Sequence, residues 1–194
     1  MEIVGDVAIK VINGTIEQPV PFSVKNAKTR LFNGFKYFCG QDALWLPEYY
    51  SVSEWLEDTQ GKGLLMMGAN GRGKSVIATK IFPYFFYEQG YGYEIFRACD
   101  INRQKEAVCR PKILCIDDIG VEDMANDYGE KINVFAKVMD EVEWKRKLIV
   151  LTTNLTQSQL ELKYSTRTIS RINACCKVVV FNGEDMRKKS ILQV

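Results

Sequence analysis

Five short runs of this chain are apolar almost without a break: Leu64-Leu65-Met66-Met67, Tyr93-Glu94-Ile95-Phe96, Ile113-Leu114-Cys115-Ile116, Leu148-Ile149-Val150-Leu151 and Val178-Val179-Val180-Phe181. Continuous rather than alternating runs of this length suit strands of a sheet covered on both faces. Between most of them the apolar residues fall at helical spacing. Ile77, Ile81 and Phe85 stand at i, i+4 and i+8 in a stretch from Val76 to Tyr87, and Ile132, Phe135, Met139 and Val142 form a second stripe. Pro83 lies inside the first stretch and is expected to kink or shorten it. Pro47 opens another helix, Glu48 to Asp58, which Gly61 and Gly63 close, and Thr156-Gln157-Ser158-Gln159 spells a capping box. At the N-terminus, Val7 to Ile12, Asn13-Gly14 and Thr15 to Glu17 read as a β-hairpin with a type I′ turn. The basic and aromatic span from Phe22 to Gly40 has no assignable period. The pattern predicts an α/β domain, a parallel sheet with helices on both faces, whose ligands bind at the carboxyl ends of the strands.

The first apolar run leads straight into Gly68-Ala69-Asn70-Gly71-Arg72-Gly73-Lys74-Ser75, and a helical stretch begins at Val76. This is G-x-x-x-x-G-K-S in the strand–loop–helix setting it requires. Its glycines permit a tight turn that brings backbone N–H groups against phosphate oxygens, and the helix start adds its own donors and dipole. Lys74 is expected at the β/γ-phosphates and Ser75 at Mg²⁺. The third run ends in Asp117-Asp118: Asp117 is placed to hold Mg²⁺ opposite Ser75, and Asp118 to orient or deprotonate the attacking water. Asn154, after the fourth run, either bridges the γ-phosphate and the water or closes a turn before the next helix. Arg167 and Arg171 stand at i, i+4 with Ile169 and Ile172 turned away, either as surface cations paired with acids or as an arginine finger.

Composition narrows the chemistry. A chain of 194 residues with 46% hydrophobic content and a net charge of +2 fits one globular domain and predicts no strong bulk attraction to nucleic acid. Basic clusters stand at Lys25, Lys28 and Arg30, at Lys145 to Lys147, and at Arg187 to Lys189. There is no histidine, which excludes a Ser-His-Asp or Cys-His hydrolase, and the six cysteines form no C-x-x-C pair. Their scatter fits reduced thiols, and neither a signal segment nor a membrane-spanning run is present, so a cytoplasmic protein is expected.

Taken in order, G-x-N-G-x-G-K-S, I-D-D-I-G-V-E (116–122), L-T-T-N-L-T (151–156), Y-S-T-R-T-I-S-R-I (164–172) and F-N-G-E-D-M-R (181–187) resemble the AAA+ ATPases of the DnaC/IstB type. These are bacterial and phage helicase loaders, with transposition helper ATPases beside them. The likeness spans about Pro47 to Arg187. It implies a P-loop NTPase fold of five parallel strands in order 5-1-4-3-2. The ATP/ADP site runs from Gly68 through Val76, with Ser75 and Asp117 on Mg²⁺. It also implies Asn154 as sensor 1 and Arg167 as the finger acting on a neighbouring subunit's ATP. Arg171 is the second basic residue of that motif. Homo-oligomers when ATP is bound, hydrolysis slow without a neighbouring subunit, and a partner in replication or transposition follow. A replicative helicase is the leading partner, and single-stranded DNA is a candidate ligand. Residues 1–45 are expected as an N-terminal extension and 46–194 as the ATPase domain, with no C-terminal lid. The stretch from Asp100 to Pro111 is too short for the two-helix insertion of initiators and loaders. An IstB-like transposition helper and an ATP-dependent adaptor with incidental hydrolysis are the alternatives.

Overall fold

The structure, a computed structural model, describes residues 18–123, 125–127 and 130–186. The hairpin expected over Val7 to Glu17 and the basic run Arg187 to Lys189 lie outside them. The strands are β1 (Gly63–Gly68), β2 (Glu94–Arg97), β3 (Ile113–Asp117), β4 (Ala125–Asp127), β5 (Glu130–Ile132), β6 (Leu148–Thr153) and β7 (Cys176–Phe181). The five apolar runs form one sheet, ordered β2-β3-β6-β1-β7 with every pair parallel, while β4 and β5 make a separate antiparallel ribbon. Counted along the chain, the five sheet strands lie 2-3-4-1-5, which is the expected order read from the other edge. The three central strands are buried along nearly their whole length, which explains their unbroken apolar character.

Because side chains alternate across a strand, each run feeds two cores. Leu64, Met66, Cys115 and Val150 pack under α1 (Ala27–Cys39), α2 (Glu48–Glu57) and the helical rod Lys74–Glu88. Leu65, Met67, Leu114, Ile116, Ile149 and Leu151 pack under α5 (Val134–Trp144), α6 (Gln157–Lys163) and α7 (Thr166–Cys175). The rod consists of α3 (Lys74–Val76), a π turn (Ile77–Ile81) and α4 (Phe82–Glu88). Pro83, expected to kink or shorten it, is accommodated by that π turn: the Phe82 N–H donates to the Ile77 carbonyl five residues back. A widened turn shifts the hydrogen-bond register where proline supplies no donor, so the rod continues to Glu88.

Two readings of the sequence change here. Ile132, assigned above to a helical stripe, lies in β5; α5 starts two residues later because the Asn133 side chain accepts from the Ala136 N–H at 3.0 Å and caps it. The unassigned span contains α1, whose buried stripe is Ala27, Leu31 and Phe35. Gly34 breaks that stripe's flank for a reason of packing: a Cβ there would come within 2.8 Å of Ile81. Val20, Phe22, Leu31 and Phe35 belong to the same core as Leu64 and Phe181, so residues 18–45 and the chain after 46 share one packed interior. Between β2 and β3 the chain makes only a short 3-10 turn (Ala98–Asp100) and further turns. Among the described residues no helix is long and apolar enough to cross a membrane.

Candidate functional site

Placing β6 between β1 and β3 brings three strand ends side by side. In register, Met67 stands beside Thr153, and Ile116 beside Leu151. The phosphate-type loop leaving β1, the carboxylates leaving β3 and the amide leaving β6 therefore meet at one rim. A cavity of about 800 Å³ opens there, lined by Asn70 to Val76, Asp117, Asp118 and Asn154. The rest of its wall comes from α1, α2 and the loop between them, through Phe35, Cys39, Asp42, Leu44, Leu46 and Tyr49, and from Met186 beyond β7.

The polar rim is tightly wired through Thr152. Its hydroxyl donates to Asp117 Oδ1 at 2.6 Å and accepts from the Asp118 N–H at 2.8 Å. Asp118 has a positive φ of 65°, which turns its carboxylate back toward β6, where Asn154 Nδ2 donates to its Oδ1 at 2.8 Å. Asn154 is thus joined to Asp118 rather than used to cap the next helix. Thr156 fills that role in the expected capping box with Gln159. Lys74 is buried, and its ammonium donates to the Gly68 and Ala69 carbonyls at 2.8 and 2.7 Å.

The loop is braced from the side by α2. Arg72 lines the cavity while its guanidinium is tied to α2: Nε and Nη2 donate to the two Glu48 oxygens at 2.6 and 2.9 Å, both side chains being under 10% exposed. That contact raises the guanidinium pKa. The Tyr49 hydroxyl donates to the Arg72 carbonyl at 3.0 Å, and burial followed by the Glu48 carboxylate pushes the Tyr49 phenol well above its ordinary value. Gly73, at φ 86°, could not carry a Cβ, which would lie 2.7 Å from the Tyr49 hydroxyl and 2.8 Å from the Phe35 ring. Gly68 and Ala69, also expected in the nucleotide site, stand before the lining part of the loop, which starts at Asn70, and the Ala69 N–H donates to the Phe181 carbonyl at 2.8 Å.

The two arginines separate. Ile169 and Ile172 are buried, as their spacing required. Arg171 reaches Asp140 and Glu143 of α5 at 2.6 and 2.8 Å, the surface pairing weighed above against a finger. Arg167 is exposed, forms no hydrogen bond or ion pair among the described residues, and does not line its own chain's cavity.

No protein-family model matches the chain, and no curated protein matches it in sequence. Solved structures do match. A putative primosome component from Streptococcus pyogenes serotype M3 aligns over 87% of this chain and 86% of its own, at 18% identity and TM-score 0.52. The DnaC helicase loader aligns over 82% and 93%, at 16% identity and TM-score 0.54. DnaA from Aquifex aeolicus, solved with AMPPCP bound, aligns over 81% of this chain and 54% of its own, at 16% identity and TM-score 0.57. The chain shares the fold of these structures, with its five parallel strands in the order 2-3-4-1-5. In this fold the loop, the paired carboxylates and Asn154 occupy the strand-end rim where such sheets hold ligands.

Sequence reasoning missed the wall from Phe35 to Tyr49. Its one legible trace is the spacing of Ala27, Leu31 and Phe35, and nothing local announces that the far end of that helix reaches the rim. Thr152 and Glu122 were also missed, the first because a threonine closing an apolar run reads as strand. Among the described residues no group of three or more His, Cys, Asp or Glu could hold a metal by itself. The Ser75 hydroxyl and an Asp117 carboxylate on one cavity nonetheless suit Mg²⁺, a hard ion that takes one or two protein oxygens and completes its shell with phosphate and water.

Proposed function

We propose that this chain binds and hydrolyses ATP as a nucleotide switch in DNA replication, in the manner of DnaC-type helicase loaders. One observation carries the reading: Lys74, Ser75, Asp117, Asp118 and Asn154, drawn from three strand ends, line a single cavity whose far wall includes the apolar and aromatic side chains Phe35, Leu44, Leu46 and Tyr49. The loop amides from Asn70 and the Lys74 ammonium receive the phosphates, as anion sites at helix starts do. Phe35, Leu44, Leu46 and Tyr49 offer the base a surface out of water. Ser75 and Asp117 would hold Mg²⁺, which would supply positive charge against the phosphoryl oxygens. Asp118, fixed by Asn154, orients the attacking water. Arg167 faces outward and completes the site of a neighbouring copy, so a lone subunit turns over slowly in the bacterial or phage cytoplasm.

The test combines binding, turnover and capture. Lys74→Ala should abolish Mg·ATP binding, whereas Asp118→Asn should bind ATP and stop releasing phosphate. Arg167→Ala should remove the rise of per-subunit rate with protein concentration. ATP-held Asp118→Asn should recover a hexameric helicase; recovery of a transposase instead would move the role to transposition. Unchanged ATP affinity in Lys74→Ala would sink the whole reading.

A further inference from the structure

The loop following Asp118 contains a buried carboxylate with no part in the chemistry above. Glu122 is 4% exposed and holds two elements together. Its Oε2 accepts from the Gly120 N–H at 2.7 Å, and its Oε1 accepts a hydrogen bond from the Tyr164 hydroxyl. Its carbonyl accepts from Lys163 Nζ at 2.7 Å. Tyr164, itself 4% exposed, is the first of the two residues between α6 and α7, and its ring centroid lies 4.8 Å from that of Phe135. Ser165 follows and caps α7, which carries Arg167.

The other end of the loop is equally constrained. Asp118 N–H is held by Thr152, Ile119 N–H donates to the Thr152 carbonyl at 2.8 Å, and the Thr153 hydroxyl donates to the Ile119 carbonyl at 2.7 Å. Gly120 has φ 102°, and a Cβ there would sit 2.3 Å from Leu155. From Asp118 to Glu122 the backbone therefore has little freedom to move without moving its partners. A displacement at the rim is passed to Glu122, and the buried hydrogen bond passes it to Tyr164. Slack is costly on this route, because parting the two would strand a carboxylate and a hydroxyl away from water.

We propose that Glu122 and Tyr164 are a positioning pair that couples the nucleotide state felt at Asp118 to the corner presenting Arg167. The coupling rests on the nucleotide reading above and adds a direction to it: occupancy of a chain's own cavity sets how that chain offers its arginine to a neighbour. The physical element is a rigid loop with one buried link, so the claim is about that link and not about distance.

Amide hydrogen exchange on the full chain, with and without Mg²⁺ and a non-hydrolysable ATP analogue, tests it. In the parent, nucleotide should slow exchange in the phosphate loop, in 118–122 and in 164–170. Tyr164→Phe removes only the hydroxyl; it should keep the first two changes and lose the third, with exchange in β6 unaltered. Glu122→Ala repeats the test should that variant loosen β6. Glu122→Gln should restore the response, since an amide can accept from Gly120 and donate to the Tyr164 oxygen. In turnover, Tyr164→Phe should lower kcat and leave KM unchanged, a split that general loosening does not produce. A response at 164–170 that survives both Tyr164→Phe and Glu122→Ala overturns the pair, as does a parent in which the phosphate loop responds and the corner does not. If the phosphate loop itself ignores the analogue, the nucleotide reading fails first and this inference with it.

Discussion

Removing the Glu48 carboxylate tests whether the phosphate-type loop is held from outside. In Glu48→Ala, Arg72 keeps its charge at a position 8% exposed and loses the hydrogen bonds from Nε and Nη2. What remains is a 3.4 Å contact from Nη1 to the Glu184 carbonyl. Breaking a buried ion pair from one side costs about 3–5 kcal/mol. The guanidinium stands at the mouth of a cavity, where it can draw water, so the lower end, about 3 kcal/mol, applies. That is a large share of the ~5–15 kcal/mol that holds a domain folded. Urea unfolding followed by tryptophan fluorescence reads it: with a slope of about 1–3 kcal/mol per molar, the midpoint falls by roughly 1 M or more. Arg72→Met paired with Glu48→Leu should recover most of the loss, because no charge is left stranded. Mg·ATP affinity should fall in Glu48→Ala even under conditions where it is fully folded, since the Arg72 carbonyl and side chain are both held by α2. A Glu48→Ala protein within about 0.5 kcal/mol of the parent, the range of ordinary surface changes, would refute the bracing argument.

Two further outcomes are expected. Cys39 is exposed and lines the cavity wall, whereas Cys99 is exposed and does not line it; ATP should slow maleimide labelling of Cys39 and leave Cys99 unchanged, and equal rates would remove Phe35 to Tyr49 from the base site. Burial raises the phenols of Tyr49, Tyr93 and Tyr164, with Glu48 adding to the first, Cys115 to the second and Glu122 to the third. Above the ordinary tyrosine pKa of about 10 the unfolded chain loses these protons first, so stability is full below that pH and falls as pH rises further. Tyrosinate absorbance should show these three ionising only as circular dichroism is lost; complete ionisation in a folded protein would contradict their burial.

The elements that sequence alone determined are those whose cause is local. Strand positions were legible because residues buried on both faces, such as Leu148 to Leu151, must be apolar in succession. The Gly68–Ser75 loop was legible because its turns need glycine where φ is positive, at Gly68, Gly71 and Gly73, and the Thr156–Gln159 cap because its two hydrogen bonds close within one turn. Asp117 and Asp118 stood out because carboxylates ending a buried strand must face its rim. Tertiary structure decided everything that depends on which distant groups meet. Arg167 and Arg171 are equivalent by spacing, and only the packing of α7 on α5 gives Arg171 its two acids and leaves Arg167 exposed. Arg72 sits inside the motif, and only the arrival of α2 gives its guanidinium the Glu48 carboxylate as a partner. Glu122 reads as one more surface acid until Tyr164, 42 residues on, closes over it. A contact between residues so far apart leaves no periodicity in the chain, because its free energy exists only once both elements have docked on the same sheet.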